Sequence, residues 1–291
     1  MRLDVTEFRQ FYDSPLGAVS RRLLRRRLRE VWPDLHGLTL LGLGYATPYL
    51  RPFRDPGTRV IALMSAAQGV TRWPRRGPAA VALSEETALP LADGSIDRIL
   101  LVHELELALD LRPLLREVWR VLAPEGRLLA VVPNRRGVWA RTDVTPFGAG
   151  RPFSLGQIEG TLRGAMFEPL RSMPALYLPP TNRRFLIRTA PFWENMGSRW
   201  GTAFAGLWIV EASKSLYALT PPGEKVTARA KAKAMIPSTN RVAAGPSFPL
   251  PSHRHPSKTI GPRDDPPPGA LAGGPRKPAP LGDRRSQPRR Q

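Results

Sequence analysis

The chain has 291 residues, 44 Lys or Arg against 24 Asp or Glu, a formal net charge of +20 and no cysteine. Lack of cysteine excludes a disulfide framework, a thiolate metal site and a cysteine nucleophile. The start, MRLDVTEFRQFY, lacks the apolar core of a secretory signal, and no apolar run approaches the ~18 residues of a membrane span, so the chain reads as soluble and cytoplasmic.

Taken in order, residues 4–31 are predicted helical, with Pro15-Leu16-Gly17 breaking a short first segment from a longer basic one. In that second segment Arg21 to Arg29 reads RRLLRRRLR, and Leu23, Leu24 and Leu28 make it amphipathic with a basic polar face. A solvated face is the default for such a helix; a phosphate backbone or an anionic membrane surface is the alternative partner. Gly37 to Leu43 is the first core strand, and it runs into the small-residue turn Gly44-Tyr45-Ala46 and a short helix reaching about Phe53. Arg59 to Met64 and Ala79 to Leu83 are the second and third strands, and the run around Ile99 is the fourth. Leu111, Leu114, Leu115, Val118 and Leu122 recur at helical spacing, and Ala123-Pro124-Glu125-Gly126 is predicted to stop that helix in a turn. Arg127 to Val132 is apolar enough for a strand covered on both faces. A helix over 154–166 follows, then strands over 170–178 and 207–219, separated by 182–200. Apolar strands alternating with amphipathic helices predict an α/β fold with a mostly parallel sheet.

Residues 221–291 differ from the rest. They hold 15 of the 33 prolines and 14 Lys or Arg against four Asp or Glu, with no hydrophobic period. Such a segment cannot bury enough surface to offset its chain entropy, so it reads as a disordered basic tail behind an α/β domain of residues 1–220, whose first 36 residues are a helical segment. His253 and His255 fall in the tail, and His36 and His103 stand alone, so no metal site is expected.

In an open α/β sheet, ligands bind beyond the carboxyl ends of the strands. The first such loop is Gly42-Leu43-Gly44-Tyr45-Ala46, where small residues let a ligand approach the backbone. Downstream stand Glu85 and Glu86 before Leu89-Pro90-Leu91, then Asp93-Gly94-Ser95, Asp97 and His103, then Glu117-Val118-Trp119-Arg120-Val121-Leu122-Ala123-Pro124-Glu125-Gly126-Arg127. Over residues ~37–178 this pattern resembles the class I S-adenosylmethionine-dependent methyltransferases, in particular the group related to the ubiquinone and menaquinone methyltransferases. The resemblance implies a Rossmann-like seven-stranded sheet and S-adenosylmethionine as cofactor, held around Gly42, Gly44, Tyr45, Ala46, Met64, Glu85, Glu86 and His103.

Two departures stand out. Leu40 occupies the place where the family usually carries an acid before the first glycine, and the second strand ends Met64-Ser65 where the family carries the acid for the ribose hydroxyls. Losing that charge-assisted contact removes roughly 1.5–3 kcal/mol, or about tenfold to a hundredfold in affinity, unless Ser65 or Gln68 compensates. His103 is the candidate base, with a pocket-shaping role as its alternative; Glu104 and Glu106 read as solvated acids on a helix face. Asn134 and Arg135, just past the fifth strand, are candidates for an anionic substrate. The loop from Thr142 to Phe153 reads either as a substrate lid or as ordinary packing of Phe147 and Phe153. Trp139, Tyr177, Phe192 and Trp193 line an apolar acceptor pocket or belong to the core. No Asn-Pro-Pro-aromatic segment follows the fourth strand, where Val102-His103-Glu104-Leu105 stands instead, which lowers the weight of DNA modification. The expected function is methyl transfer to a small-molecule or lipid-like acceptor. The alternatives are a catalytically inactive relative that binds a partner through its basic surface and, weaker, an RNA methyltransferase.

Overall fold

The computed structural model describes residues 3–215; the expected tail at 221–291 lies outside the described residues. Two helices open it, α1 (Val5–Asp13) and α2 (Pro15–Val31). Asp4 and Glu7 close a reciprocal capping box on α1. Ser14 ends α1 and caps α2, and Pro15 fills the first position of α2, where a missing N–H costs nothing. The break expected at Pro15 is therefore a shared cap between two helices.

Seven strands follow: β1 (Thr39–Gly44), β2 (Arg59–Ser65), β3 (Val81–Ser84), β4 (Ile96–Val102), β5 (Leu122–Pro133), β6 (Phe167–Ala175) and β7 (Leu207–Lys214). They form one sheet in the order β3-β2-β1-β4-β5-β7-β6. The first five pair in parallel, while β7 runs antiparallel between β5 and β6. Strand order reverses between β1 and β4, so the ends of those two strands form the crevice where ligands of this architecture bind. The helices between strands are α3 (Thr47–Leu50), α4 (Leu111–Val121), α5 (Leu155–Gly164), α6 (Arg184–Arg188) and α7 (Ala190–Trp200). Both faces of the sheet are covered. Leu40, Met64, Leu100 and Leu129 pack toward α1 and α2, whereas Leu41, Leu63, Leu101 and Leu128 pack toward α4 and α5.

The Glu117 to Arg127 block is architectural. The Arg120 guanidinium donates to the carbonyls of Leu89 (3.0 Å) and Leu91 (2.9 Å) and pairs with Asp93 (2.6 Å) and Glu117 (2.8 Å). Glu117 in turn accepts the Leu89 amide at 2.9 Å, which fastens the turn before β4 onto α4.

Several boundaries differ from expectation: β7 ends at Lys214 against the expected 207–219, with 216–219 outside the described residues, and β3 starts at Val81 rather than Ala79. The segment Ala123 to Gly126 is part of β5, because buried Leu122 already pairs with Ile96 and a register shift before Arg98 absorbs the irregularity. β6 lies three residues earlier than 170–178. It carries Pro169 and Pro174, which an edge strand tolerates because one row of its amides faces away from the sheet.

Candidate functional site

Beyond the tip of β1 the chain turns sharply at Gly44, whose φ is +69°. A Cβ there would stand 2.5 Å from the Val102 carbonyl and 2.7 Å from the Glu104 carboxylate, so only glycine fits. The next amide, Tyr45, donates to the Val102 carbonyl at 2.9 Å and fastens the loop to the end of β4. Gly42 is equally confined, by Leu50 and Ala46.

His103 follows β4 and is wholly buried, with a φ of +55° that is strained for a side chain of this size. Its Nδ1 lies 3.1 Å from Glu106 Oε1 and its Nε2 lies 2.7 Å from the Tyr12 hydroxyl. The Tyr49 hydroxyl donates to Tyr12 at 2.8 Å, so the Tyr12 proton points at Nε2 and the imidazole carries its own proton on Nδ1, toward Glu106. Four side chains from α1, α3 and the loop after β4 thus form one buried line, Tyr49–Tyr12–His103–Glu106. Aromatic rings dry it: Phe147 lies 4.4 Å and Phe8 4.9 Å from the imidazole, and Phe8 stacks on Tyr45 at 4.8 Å. Burial raises the Tyr12 and Tyr49 phenols well above their ordinary value and pushes Tyr45 up to about 12.

Glu104 and Glu106 correct the expectation of solvated helix-face acids. They lie on turns after β4 and are 4% and 1% exposed, because the chain folds back beneath α1 there. Sequence reasoning found His103 and missed Tyr12, Tyr49 and Glu106. The three-residue spacing of His103 and Glu106 was the available signal; nothing local announced that α1 would deliver Tyr12.

The other expected site residues divide. Ser65, at the tip of β2, donates to Glu86 Oε1 at 2.7 Å, so a carboxylate from beyond β3 reaches the place where the second strand lacks its own. Glu85 is exposed, and Met64 is buried in the core. Ala46 is buried beside Gly42. Leu40 packs in the core, which leaves no charge at its position. The Asn134 amide group donates to the carbonyls of Ala205 (2.8 Å) and Thr202 (3.3 Å), and its Oδ1 accepts from the Arg136 amide, so it organises its own loop. Arg135 is exposed. Phe147, Phe153, Trp139 and Tyr177 are buried, Trp193 is half-buried and Phe192 is exposed. Among the described residues no group of three or more His, Cys, Asp or Glu gathers as a metal site, and no helix is long and apolar enough to cross a membrane.

A family model described as a methyltransferase domain matches residues 41–130, the span from β1 to the middle of β5. Over those residues the chain is similar to methyltransferase domains. Two solved structures share the fold. One is a SAM-dependent methyltransferase from Thermotoga maritima, at 17% identity and a TM-score of 0.50 over 72% of this chain and 96% of that one. The other is the complex of the Haloferax volcanii Trm112 methyltransferase activator with a methyltransferase, at 17% identity and a TM-score of 0.53 over 74% of this chain and 100% of that one. No curated protein matches. The fold is that of the class I methyltransferases, whose cofactor is S-adenosylmethionine.

The chain keeps features that suit this cofactor. Among the described residues Gln68 Oε1, Glu106 Oε2 and Thr145 Oγ1 are buried polar atoms without a hydrogen-bond partner, and buried orphans of this kind want a ligand or water. Gln68 also ties the site together, since its Nε2 donates to the His103 carbonyl at 3.1 Å and its own carbonyl accepts the Val5 amide at 2.9 Å. α1 is thereby hooked across the ends of β2 and β4, with Phe8 and Tyr12 lying over the glycine loop.

Proposed function

We propose that the chain transfers a methyl group from S-adenosylmethionine to a small or lipid-like acceptor whose hydroxyl or amine reaches the imidazole of His103. The supporting observation is the buried line Tyr12–His103–Glu106 at the tip of β4, directly beside the Gly44 turn. The loop amides from Gly42 to Ala46, Glu86 set by Ser65, and Gln68 Oε1 would hold the cofactor, which supplies an electrophilic methyl when bound.

Tyr12 marks the position the acceptor would take. Its hydroxyl donates to Nε2 here, and an acceptor O–H or N–H replacing it meets the same basic nitrogen. With the cofactor bound, the acceptor's bond to the methyl carbon would form as the carbon–sulfur bond breaks and leaves a neutral thioether, while the acceptor's proton would pass to Nε2 and Glu106 would stabilise the resulting imidazolium across Nδ1. Glu106 acts as a positioning residue, fixing the tautomer that leaves Nε2 free to accept. Phe8, Phe147 and Tyr45 favour an apolar acceptor body and exclude water. Admitting an acceptor requires α1 to lift, which frees Nε2 and the glycine loop together.

The test is transfer of label from methyl-labelled S-adenosylmethionine into products of a small-molecule and lipid extract. Wild-type chain is expected to label a discrete product, and His103→Gln to lower the rate about 100-fold or more while cofactor binding persists. Equal rates for the two chains would remove His103 from the chemistry. Absence of any labelled product would count against the acceptor class.

A further inference from the structure

Between α1, α2 and the β2–β3 connection lies an open groove of about 840 Å³ whose charged lining the methyl-transfer proposal does not use. Its lining holds eight arginines. Arg9, Arg21 and Arg25 come from the two N-terminal helices, Arg51 and Arg54 from the turn after α3, and Arg72, Arg75 and Arg76 from the β2–β3 connection. Among the described residues the only carboxylate in the lining is Asp13, 3.7 Å from Arg9 and 3.6 Å from Arg75. Arg25 donates to the Pro48 carbonyl, and burial together with the neighbouring Arg21 charge lowers its guanidinium below the ordinary value. Among the described residues, six of the eight (all but Arg9 and Arg75) have no carboxylate within salt-bridge distance, and of these Arg21, Arg25 and Arg72 each donate to one backbone carbonyl; the groove therefore concentrates positive charge that its own side chains leave uncompensated.

Aromatic groups interleave with the charge. Half-buried Trp73 stands in the wall with the Arg54 guanidinium 5.4 Å from its ring centroid, and Tyr45 and Tyr12 close the end nearest the glycine loop. Three features select the occupant. Planar guanidinium forks match phosphate oxygens in pairs. The groove is concave and open, a shape in which an extended single strand can lie. Aromatic faces beside the charge offer stacking to bases, which neither an acidic peptide nor a lipid headgroup can use. The sequence points to a basic face on the second helix; the structure shows that only part of that face, Arg21 and Arg25, joins the groove, while Arg26 and Arg27 pair with Glu30 elsewhere.

We propose that this groove binds single-stranded nucleic acid through its phosphate backbone, with Trp73 stacking on a base. The proposal stands independently of methyl transfer, since its arginines and Trp73 lie outside the buried His103 line, which the groove meets only at Tyr12.

The experiment is fluorescence anisotropy of the full chain with a labelled 12-nucleotide oligoribonucleotide across a salt series. The variants are a groove triple (Arg51→Glu, Arg54→Glu, Arg76→Glu), a tail triple of equal charge change (Arg285→Glu, Arg289→Glu, Arg290→Glu) and Trp73→Leu. All three groove positions are exposed, and thermal melts check that each variant is folded. The groove triple is expected to weaken binding at least about tenfold and to make the slope of log affinity against log salt shallower by about 2. Trp73→Leu is expected to cost about tenfold with no change of slope. The proposal is overturned if the tail triple loses as much as the groove triple or if the oligonucleotide does not bind. It is also overturned if millimolar inorganic phosphate displaces the strand at constant ionic strength, which would mark a free-phosphate site, or if anionic phosphatidylserine vesicles bind through the same arginines and the strand does not.

Discussion

Two regions meet at Tyr12 and Tyr45 and follow opposite physical rules. Toward β4, the hydroxyls and imidazole of Tyr49, Tyr12 and His103 are sealed by aromatic rings and partner one another. Toward β2 and β3, eight arginines share an open groove with one carboxylate. In the dry line each hydrogen bond is strong and each missing partner is costly, because little water competes. In the wet groove single contacts are weak and screened, and only their sum over many phosphates carries affinity. The difference teaches that one substitution should damage the first region, whereas several are needed to disable the second.

The largest effect that separates them is alkaline unfolding. Tyr45 is pushed up to about 12, and Tyr12 and Tyr49 are also raised, all chiefly by burial. The folded chain keeps phenol protons that the unfolded chain releases above pH 10. Their contribution is therefore complete below pH 10 and is lost as pH rises toward 12, at about 1.4 kcal/mol per pH unit for each tyrosine. Urea unfolding from pH 9 to 12 should show this fall, and Tyr45→Phe should make it shallower; a flat profile would mean that these phenols are wet.

Next in size is Gly44→Ala, which forces a side chain into a left-handed turn against the Val102 carbonyl. It should destabilise the domain by about 3 kcal/mol, read from denaturant midpoints. Tyr12→Phe leaves His103 Nε2 buried without a donor and should cost about 1–2 kcal/mol while leaving oligonucleotide affinity within about twofold. A large loss of affinity in that variant would merge the two regions into one site. Smallest is Arg26→Ala, outside the groove and paired with Glu30 on an exposed face, which should shift stability by less than about 0.5 kcal/mol.

Much of the fold was legible because its strands are apolar on both faces and its helices are not. The strand positions, the break at Pro15 and the Glu117–Arg120 block follow from local pattern and cap chemistry. The Gly42–Ala46 turn was legible for the same reason. The His103 line was not, since Tyr12 and Tyr49 reach it from 91 and 54 positions away in the chain, and no periodicity reports contacts of that range. Glu106 reads as a surface acid until the loop after β4 is seen folded under α1. The Ser65–Glu86 pair was half legible: both residues drew notice, yet only the parallel register of β2 with β3 brings them together. The groove was the least legible, because its arginines come from three separate stretches of a chain rich in arginine throughout.

The central claim is that the ends of β1, β2 and β4 hold S-adenosylmethionine despite the missing acids, with Glu86 standing in through Ser65. Calorimetric titration of S-adenosylmethionine into the full chain, beside Glu86→Ala and Ser65→Ala, tests it most directly. The account expects saturable binding in the micromolar range, weakened about tenfold to a hundredfold by Glu86→Ala and less by Ser65→Ala. No heat of binding up to ~1 mM, or equal affinity in all three chains, would contradict it.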